Sequence, residues 1–297
     1  AKVKLFSYDT RYLPHTKEVK QYQGVKYGNN LVGIVGPEYP VMSIVDTLDT
    51  TMGQMIATGQ IRPTSSGILR HGQKVWVSSE MDLPEADITG RGDKVRPFIT
   101  NMFDNTGKGA NFTFLSLIRI VCENTLRLAL GKRNELVQTV RIAHKGKDPL
   151  DRVRVDAELF QNASDAYLQW TQYAKTLASI SYSQAQASEY LETLFPVNKE
   201  SKVRSHTHSK ILNLAKYGRG QREYGNQAKG TWWGLLNGVT EYLDHKKGYR
   251  GTVGKKDSPE NVLSKKTNRF ESVLFGDSSK KKEKAWDLAL VMATVAD

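Results

Sequence analysis

A chain of 297 residues can hold one large domain or two modest ones, and its 39% hydrophobic and 25% charged residues are a globular composition that excludes wholesale disorder. The 43 Lys and Arg against 31 Asp and Glu give a formal net charge of +12, which favours polyanionic partners. No apolar run approaches the roughly 18 residues of a membrane span, and none follows Ala1-Lys2-Val3-Lys4 as a secretory leader, so the expected location is the cytoplasm.

In chain order, residues 1–30 are polar, with Tyr8, Tyr12, Tyr22 and Tyr27 among lysines, and are expected to form an N-terminal arm or edge structure. Leu31 to Val35 reads as a strand ended by Gly36-Pro37. Apolar spacing at Ile44, Val45, Leu48, Met52 and Met55 predicts a helix over 43–57. Residues 67–77 read as two strands about a turn at His71-Gly72. Strands over 95–103 and 111–117 frame the turn from Asp104 to Gly109, whose Asp, Asn and Gly supply the backbone angles a tight reversal needs.

From Ser116 to Leu130 the spacing predicts a helix. Ile118, Val121, Cys122, Thr125, Leu126 and Ala129 share one face and Arg119, Glu123 and Arg127 another, with Gly131 as C-cap. Cys122 excludes an intramolecular disulfide, since it is the one cysteine, and its apolar run implies a buried structural thiol.

Phe160, Ala163, Tyr167, Trp170, Ala174 and Leu177 alternate spacings of three and four, which predicts an amphipathic helix continuing through Tyr190 to Phe195 before Pro196. Its aromatic stripe is expected to face a core. Residues 199–229 are basic and punctuated by glycines. A helix is expected from Thr231 to His245, with Trp232, Leu235, Leu236, Val239 and Leu243 inward. The expected fold is α+β. An antiparallel strand meander packed on a central helix fills 31–150, and a helical region 151–247. A basic flexible segment follows at 248–284, and a C-terminal helix in 285–297.

Few motifs carry chemistry. Gly107-Lys108 and Gly254-Lys255 lack the first glycine and the hydroxyl of a phosphate loop. There is no paired-cysteine zinc spacing and no His-Glu-x-x-His. His206-Thr207-His208 could place two imidazoles on one side of a strand, but Lys202, Arg204 and Lys210 around it would repel a cation. The acids Glu80, Asp82, Glu85, Asp87 and Asp93 are of the type that holds magnesium in nucleases, and they also read as plain turns. No catalytic residue, cofactor or metal ligand is expected.

Charge is uneven. Residues 1–150 carry 20 Lys and Arg against 14 acids, residues 151–200 carry 4 against 7, and residues 201–284 carry 19 against 8. The candidate nucleic-acid contacts are Lys94, Arg96, Lys108, Arg119, Arg127, Lys132, Arg133, Arg141, His144, Lys145 and Lys147, then Arg204, Lys216, Arg219, Arg222, Lys229, Lys246, Lys247 and Arg250. Tyr217, Tyr224, Trp233 and Tyr249 interleave with the second group, and Trp233 is placed with the contacts. A cationic groove with aromatic platforms is how single strands are held, and no motif for sequence readout is present.

Arg119-Ile120-Val121-Cys122-Glu123-Asn124-Thr125-Leu126, followed by Ala129-Leu130, resembles the central signature of domain-of-unknown-function family 932, whose members occur widely on phages and plasmids. Gly92-Asp93 through Gly109 and Val140-Arg141-Ile142-Ala143-His144 fit the same pattern. So does Gly230-Thr231-Trp232-Trp233 with the run from Asn237 to His245, except that glycine stands at 238 where the family usually has alanine. The resemblance covers roughly residues 30–250. It marks Asn124, Thr125 and Asn237 as motif positions, the first two expected to bond backbone or lock the signature helix onto the sheet. It implies a mobile-element protein of viral DNA metabolism, in an infected or plasmid-bearing bacterial host. The strand-strand-strand-helix order also resembles single-strand annealing proteins of the RecT, Red-beta and Rad-fifty-two types. That implies ATP-independent single-strand DNA annealing in recombination or replication, by a homo-oligomer forming a ring or filament. The alternatives are a non-enzymatic DNA-binding accessory factor of replication or packaging, and a magnesium nuclease.

Overall fold

The computed structural model describes residues 3–9, 21–36, 39–119, 124–127, 140–142, 157–196, 203–222 and 228–294, with side chains for 23–36, 39–118, 160–196, 206–221 and 228–294. The fold is α+β and divides into two compact units. The first comprises Ala1–Asp82, Phe98–Leu115 and Leu130–Ala163, the second Leu83–Pro97, Ser116–Ala129 and Ser164–Asp297.

In the first unit the expected N-terminal arm contains two strands. β1 (Val3–Asp9), β2 (Gln21–Tyr27) and β3 (Asn30–Val35) form an antiparallel sheet. Val25, Val32 and Val35 bury together, with Tyr27, Tyr39 and Val41 packed on them. The helix expected over 43–57 is present as α1 (Ile44–Leu48), a π-helical turn (Asp49–Gly53) and α2 (Gln54–Ala57). The hydroxyl of Ser43 accepts the amide of Asp46 and so caps it.

A larger sheet has the strand order β10-β8-β7-β5-β4, with β4 at Ile61–Leu69, β5 at Lys74–Met81, β7 at Lys94–Asp104, β8 at Asn111–Arg119 and β10 at Val140–Ile142. Two shorter strands join it, β6 (Ala86–Asp87) on β7 and β9 (Asn124–Arg127) on β8. From Ile99 to Asp104, β7 is buried at every position, as a strand covered on both faces must be. Ile44 packs with Val75 and Phe103, and Asn101 Nδ2 donates to Thr51 Oγ1 at 3.1 Å, so the helix on this sheet is the one at 44–57. Among the described residues β4 ends the sheet, exposed from Arg62 to Ser66, with a bulge between Pro63 and Ser65.

Both expected turns form. Between β4 and β5, Arg70, His71 and Gly72 all have positive φ, and a Cβ on Gly72 would lie 2.4 Å from the Tyr27 ring. Between β7 and β8, Asp104 Oδ1 accepts the Thr106 amide at 2.8 Å, and Gly107 at φ +77 lies where a Cβ would meet Val35.

The helix expected from Ser116 to Leu130 is not there. In the second unit the end of β8 turns back into β9, with Ser116 opposite Arg127 and Arg119 opposite Asn124. A short apolar run fits a buried strand as well as a helix, and ladder pairing decides the matter here. Arg119 and Arg127 therefore do not share a helical face with Glu123, which lies outside the described residues.

The rest of the second unit is helical. Of the expected stripe, Ala163, Tyr167, Trp170, Ala174 and Leu177 of α3 (Ala157–Ser179) are buried and Phe160 is half-buried. That helix does not run on to Phe195. A Ser183–Gln186 capping box starts α4 (Gln184–Leu194) afresh, and Ile180 O accepts the amide of Trp232 at 3.0 Å. α5 (Val203–Tyr217) and α6 (Arg219–Arg222) follow. α7 (Trp232–Glu241) is buried at all ten positions and ends in a π-helical turn (Tyr242–Lys246). Trp170 stacks on Trp286 with centroids 5.2 Å apart and meets Trp233 edge-on at 5.8 Å.

The segment expected to be flexible, 248–284, holds α8 (Pro259–Leu274) and the first part of α9 (Asp277–Thr294). One face of α8 fixes the loop before it. Asn261 Nδ2 donates to Val253 O at 3.2 Å, Asn268 Nδ2 to Arg250 O at 2.9 Å, and the Thr252 amide to Ser264 Oγ at 2.9 Å. Within α9, Lys282 Nζ lies 2.8 Å from Asp244 Oδ1 with both side chains buried. Burial pulls the Lys282 ammonium below the usual lysine range, and Asp244 opposes that shift.

Candidate nucleic-acid interface

The closing motif is the scaffold of this region. Trp233 Nε1 donates to Asp93 Oδ2 at 2.8 Å, and Trp233 is 3% exposed. It is a core residue, so its assignment as a nucleic-acid contact is corrected: the indole has a buried carboxylate to satisfy and no free face for a base. Asn237 Nδ2 donates to the Trp233 carbonyl at 2.8 Å, and Thr240 Oγ1 to the Asn237 carbonyl at 3.0 Å. At Gly238 a Cβ would lie 2.8 Å from Ile211 O and 2.9 Å from Ala215 Cβ, so glycine in place of the family's alanine lets α5 approach α7 closely. Arg269 Nε donates to Asp244 O at 2.6 Å, and its Nη2 to His245 Nδ1 at 3.0 Å.

The motif also fixes a surface corner. α5 ends at Tyr217 and α6 starts at Arg219, with Gly218 between them. The buried Glu241 accepts the Arg219 amide through Oε1 at 3.2 Å, and a Cβ on Gly218 would lie 2.4 Å from Glu241 Oε2. Lys216, Tyr217 and Arg219 are exposed around this break. Lys229, from the turn before α7, holds its Nζ 4.9 Å from the centroid of the Tyr217 ring. The corner thus brings together three of the expected cations, Lys216, Arg219 and Lys229, with an exposed aromatic ring. Glu241 was not among the expected site residues. Its place at the end of an all-buried helix is the signal that could have found it.

The remaining expected contacts are dispersed. Lys246 and Arg250 are exposed, while Lys247 donates to Ser278 Oγ at 3.2 Å and lies over Tyr249. The Tyr249 hydroxyl donates to Leu243 O at 3.1 Å. Lys94 and Arg96 both pair with Glu85, and they hold its carboxyl below the usual range. Lys108 is exposed in the β7–β8 turn of the first unit. By backbone placement Arg119 ends β8, Asn124, Thr125 and Arg127 lie in β9, Arg141 in β10, Arg204 in α5 and Arg222 in α6. Asn124 and Thr125 therefore sit on a strand, not on a helix locked to a sheet. Cys122, Lys132, Arg133, His144, Lys145, Lys147 and Tyr224 lie outside the described residues.

Four of the five acids that suggested a magnesium site, Glu80, Glu85, Asp87 and Asp93, are engaged elsewhere. Glu80 pairs with Arg62 at 3.0 Å, Asp87 accepts the amides of Arg91 and Gly92, and Asp93 accepts Trp233. Among the described residues no group of three or more His, Cys, Asp or Glu is placed to hold a metal. His206 and His208 lie on α5 and not on a strand, and His208 Nε2 donates to Phe195 O at 2.8 Å. No helix of the described residues is long and apolar enough to cross a membrane.

No curated protein and no solved structure matches the chain. The family model described as a domain of unknown function, DUF932, matches residues 31–271, a span that takes in the β8–β9 signature, Gly238 and the Glu241 corner. The chain belongs to the DUF932 family.

Proposed function

We propose that the chain binds DNA through charge and promotes ATP-independent annealing of single strands, in recombination or replication of a phage or plasmid. The observation that carries this reading is where the charge of residues 201–284 goes. Lys216, Lys229, Lys246, Arg250, Lys255 and Lys256 are exposed, whereas the acids Glu241 and Asp244 are buried. Asp244 is buried with Lys282, and the exposed cations outnumber the exposed acids Asp257, Glu260 and Asp277, so the described surface of the segment is basic. Such a surface neutralises two phosphate backbones at once and lets complementary strands approach. The reading rests on charge and not on likeness to annealing proteins, because the helix in that likeness is the β8–β9 hairpin. Basic side chains neutralise the backbone and a homo-oligomer holds the strand extended. No nucleotide is needed, in keeping with the missing phosphate loop.

The test mixes the protein with two complementary labelled oligonucleotides, without ATP, across a salt series. Pairing should be faster than without protein, and affinity should fall steeply as salt rises, because counterion release drives it. Unchanged affinity between low and moderate salt, or no effect on the pairing rate, would sink the proposal.

A further inference from the structure

We infer that the exposed ring of Tyr217 is a stacking platform for an unpaired nucleobase, and that Lys229 moves from the ring to the adjoining phosphate when the base arrives. The inference rests on the DNA-binding reading above and adds a residue and a mode of contact to it.

The ring stands where α5 is broken. α5 ends at Tyr217, which is 54% exposed and makes no hydrogen bond among the described residues. The break is held from beneath, through Glu241 and the Arg219 amide. A platform on a fixed corner loses little freedom on binding. Lys229 covers one face at 4.9 Å, a cation–π contact of modest strength at an exposed site. A base offers the ring a far larger contact, and a displaced ammonium keeps its charge near the sugar-phosphate chain. Lys216 and Arg219 flank the ring in sequence and supply further positive charge to the same strand.

The other aromatics of the unit are not equivalent. Trp170, Trp232, Trp233, Tyr167 and Tyr190 are buried. Tyr173 is 43% exposed on α3, but it belongs to the acidic stretch 151–200 and no cation lies over it among the described residues. It serves as the internal control.

The experiment separates bases from phosphates. Fluorescence anisotropy at low salt compares a labelled thymidine oligonucleotide of about 12 nucleotides, within the usual span of such sites, with an abasic oligonucleotide of equal length and charge. Tyr217→Ala should weaken thymidine binding about tenfold and leave abasic binding unchanged. Tyr217→Trp should retain the parent's preference for thymidine, and Tyr173→Ala should behave as the parent. Far-UV circular dichroism and the thermal midpoint check that each variant folds. The inference is overturned if the parent binds both oligonucleotides equally, if Tyr217→Ala keeps the preference, or if it weakens both equally. Failure of the parent to bind either oligonucleotide at low salt would instead remove the DNA-binding reading itself, and this inference with it.

Discussion

Lys280, Lys281, Lys282 and Lys284 put four ammonium groups into five residues, while Lys216, Arg219, Arg222 and Lys229 spread four cations over fourteen. By composition the first cluster is the better binding surface, yet most of it belongs to the fold. Lys281 donates to Leu194 O at 2.7 Å and lies over Phe195, Lys284 donates to Thr193 O at 3.3 Å, and Lys282 is buried against Asp244. At the α5–α6 corner, Lys216 and Lys229 are exposed and Lys229 lies over a ring face. The difference lies in register. Lys282 falls on the α9 stripe of Ser278, Ser279, Ala285, Ala289 and Ala293, all buried, whereas Lys216 and Lys229 sit at a helix end and in a turn. The position of a lysine on its element, more than the local density of lysines, decides whether its charge reaches a partner.

Four changes test that contrast, the largest effect first. Lys282→Met or Asp244→Asn alone should cost about 3–5 kcal/mol, because each leaves an uncompensated buried charge or polar group. Asp244→Leu combined with Lys282→Met should recover most of that loss, as read from urea midpoints at unchanged slope. A single Lys282→Met as stable as the parent would place that lysine with the surface cations. Next, Gly238→Ala should destabilise by about 1–3 kcal/mol, since the methyl group meets α5 backbone that cannot yield freely. It should do so with no change in the salt dependence of DNA binding.

The double reversal Lys216→Glu and Lys229→Glu should behave in the opposite way. Stability should change by less than about 0.5 kcal/mol per site, while the salt slope of DNA binding falls by about one for each phosphate that is no longer neutralised. The smallest effect concerns Glu85. Its carboxyl is held below the usual range by Lys94 and Arg96, so its contribution is complete at neutral pH and is lost as pH falls through the lowered value. Glu85→Gln should flatten that acid limb and cost under about 1 kcal/mol at pH 7, because the pairs are exposed to solvent.

Much of the architecture was legible in the sequence, and the failures share a cause. The turns at His71-Gly72 and Asp104 to Gly109, the helix at 43–57 and the buried stripe of α3 follow from local chemistry and period. The pairing of 116–119 with 124–127 does not, because the apolar run fits two periods and only the register Ser116 to Arg127 selects between them. α8 was hidden because its polar face bonds the loop backbone through Asn261, Ser264 and Asn268, contacts that no periodicity reveals. At the candidate site the cations were legible as residues but not as a group. Trp233 was misplaced because its partner, Asp93, is 140 residues away in sequence.

The irregular end of the larger sheet bears on solubility. A free strand edge is a template on which another chain can extend the sheet, in order or in an aggregate. On β4 that template is interrupted. Pro63 has no amide hydrogen to donate, the bulge before Ser65 breaks the repeat, and Arg62 carries a charge at the outer end. What is left of an even edge after the bulge is short, from Ser65 to Leu69. Under the proposed annealing function copies would stand at high local concentration along a strand, and this edge would let them crowd together without zipping into fibres.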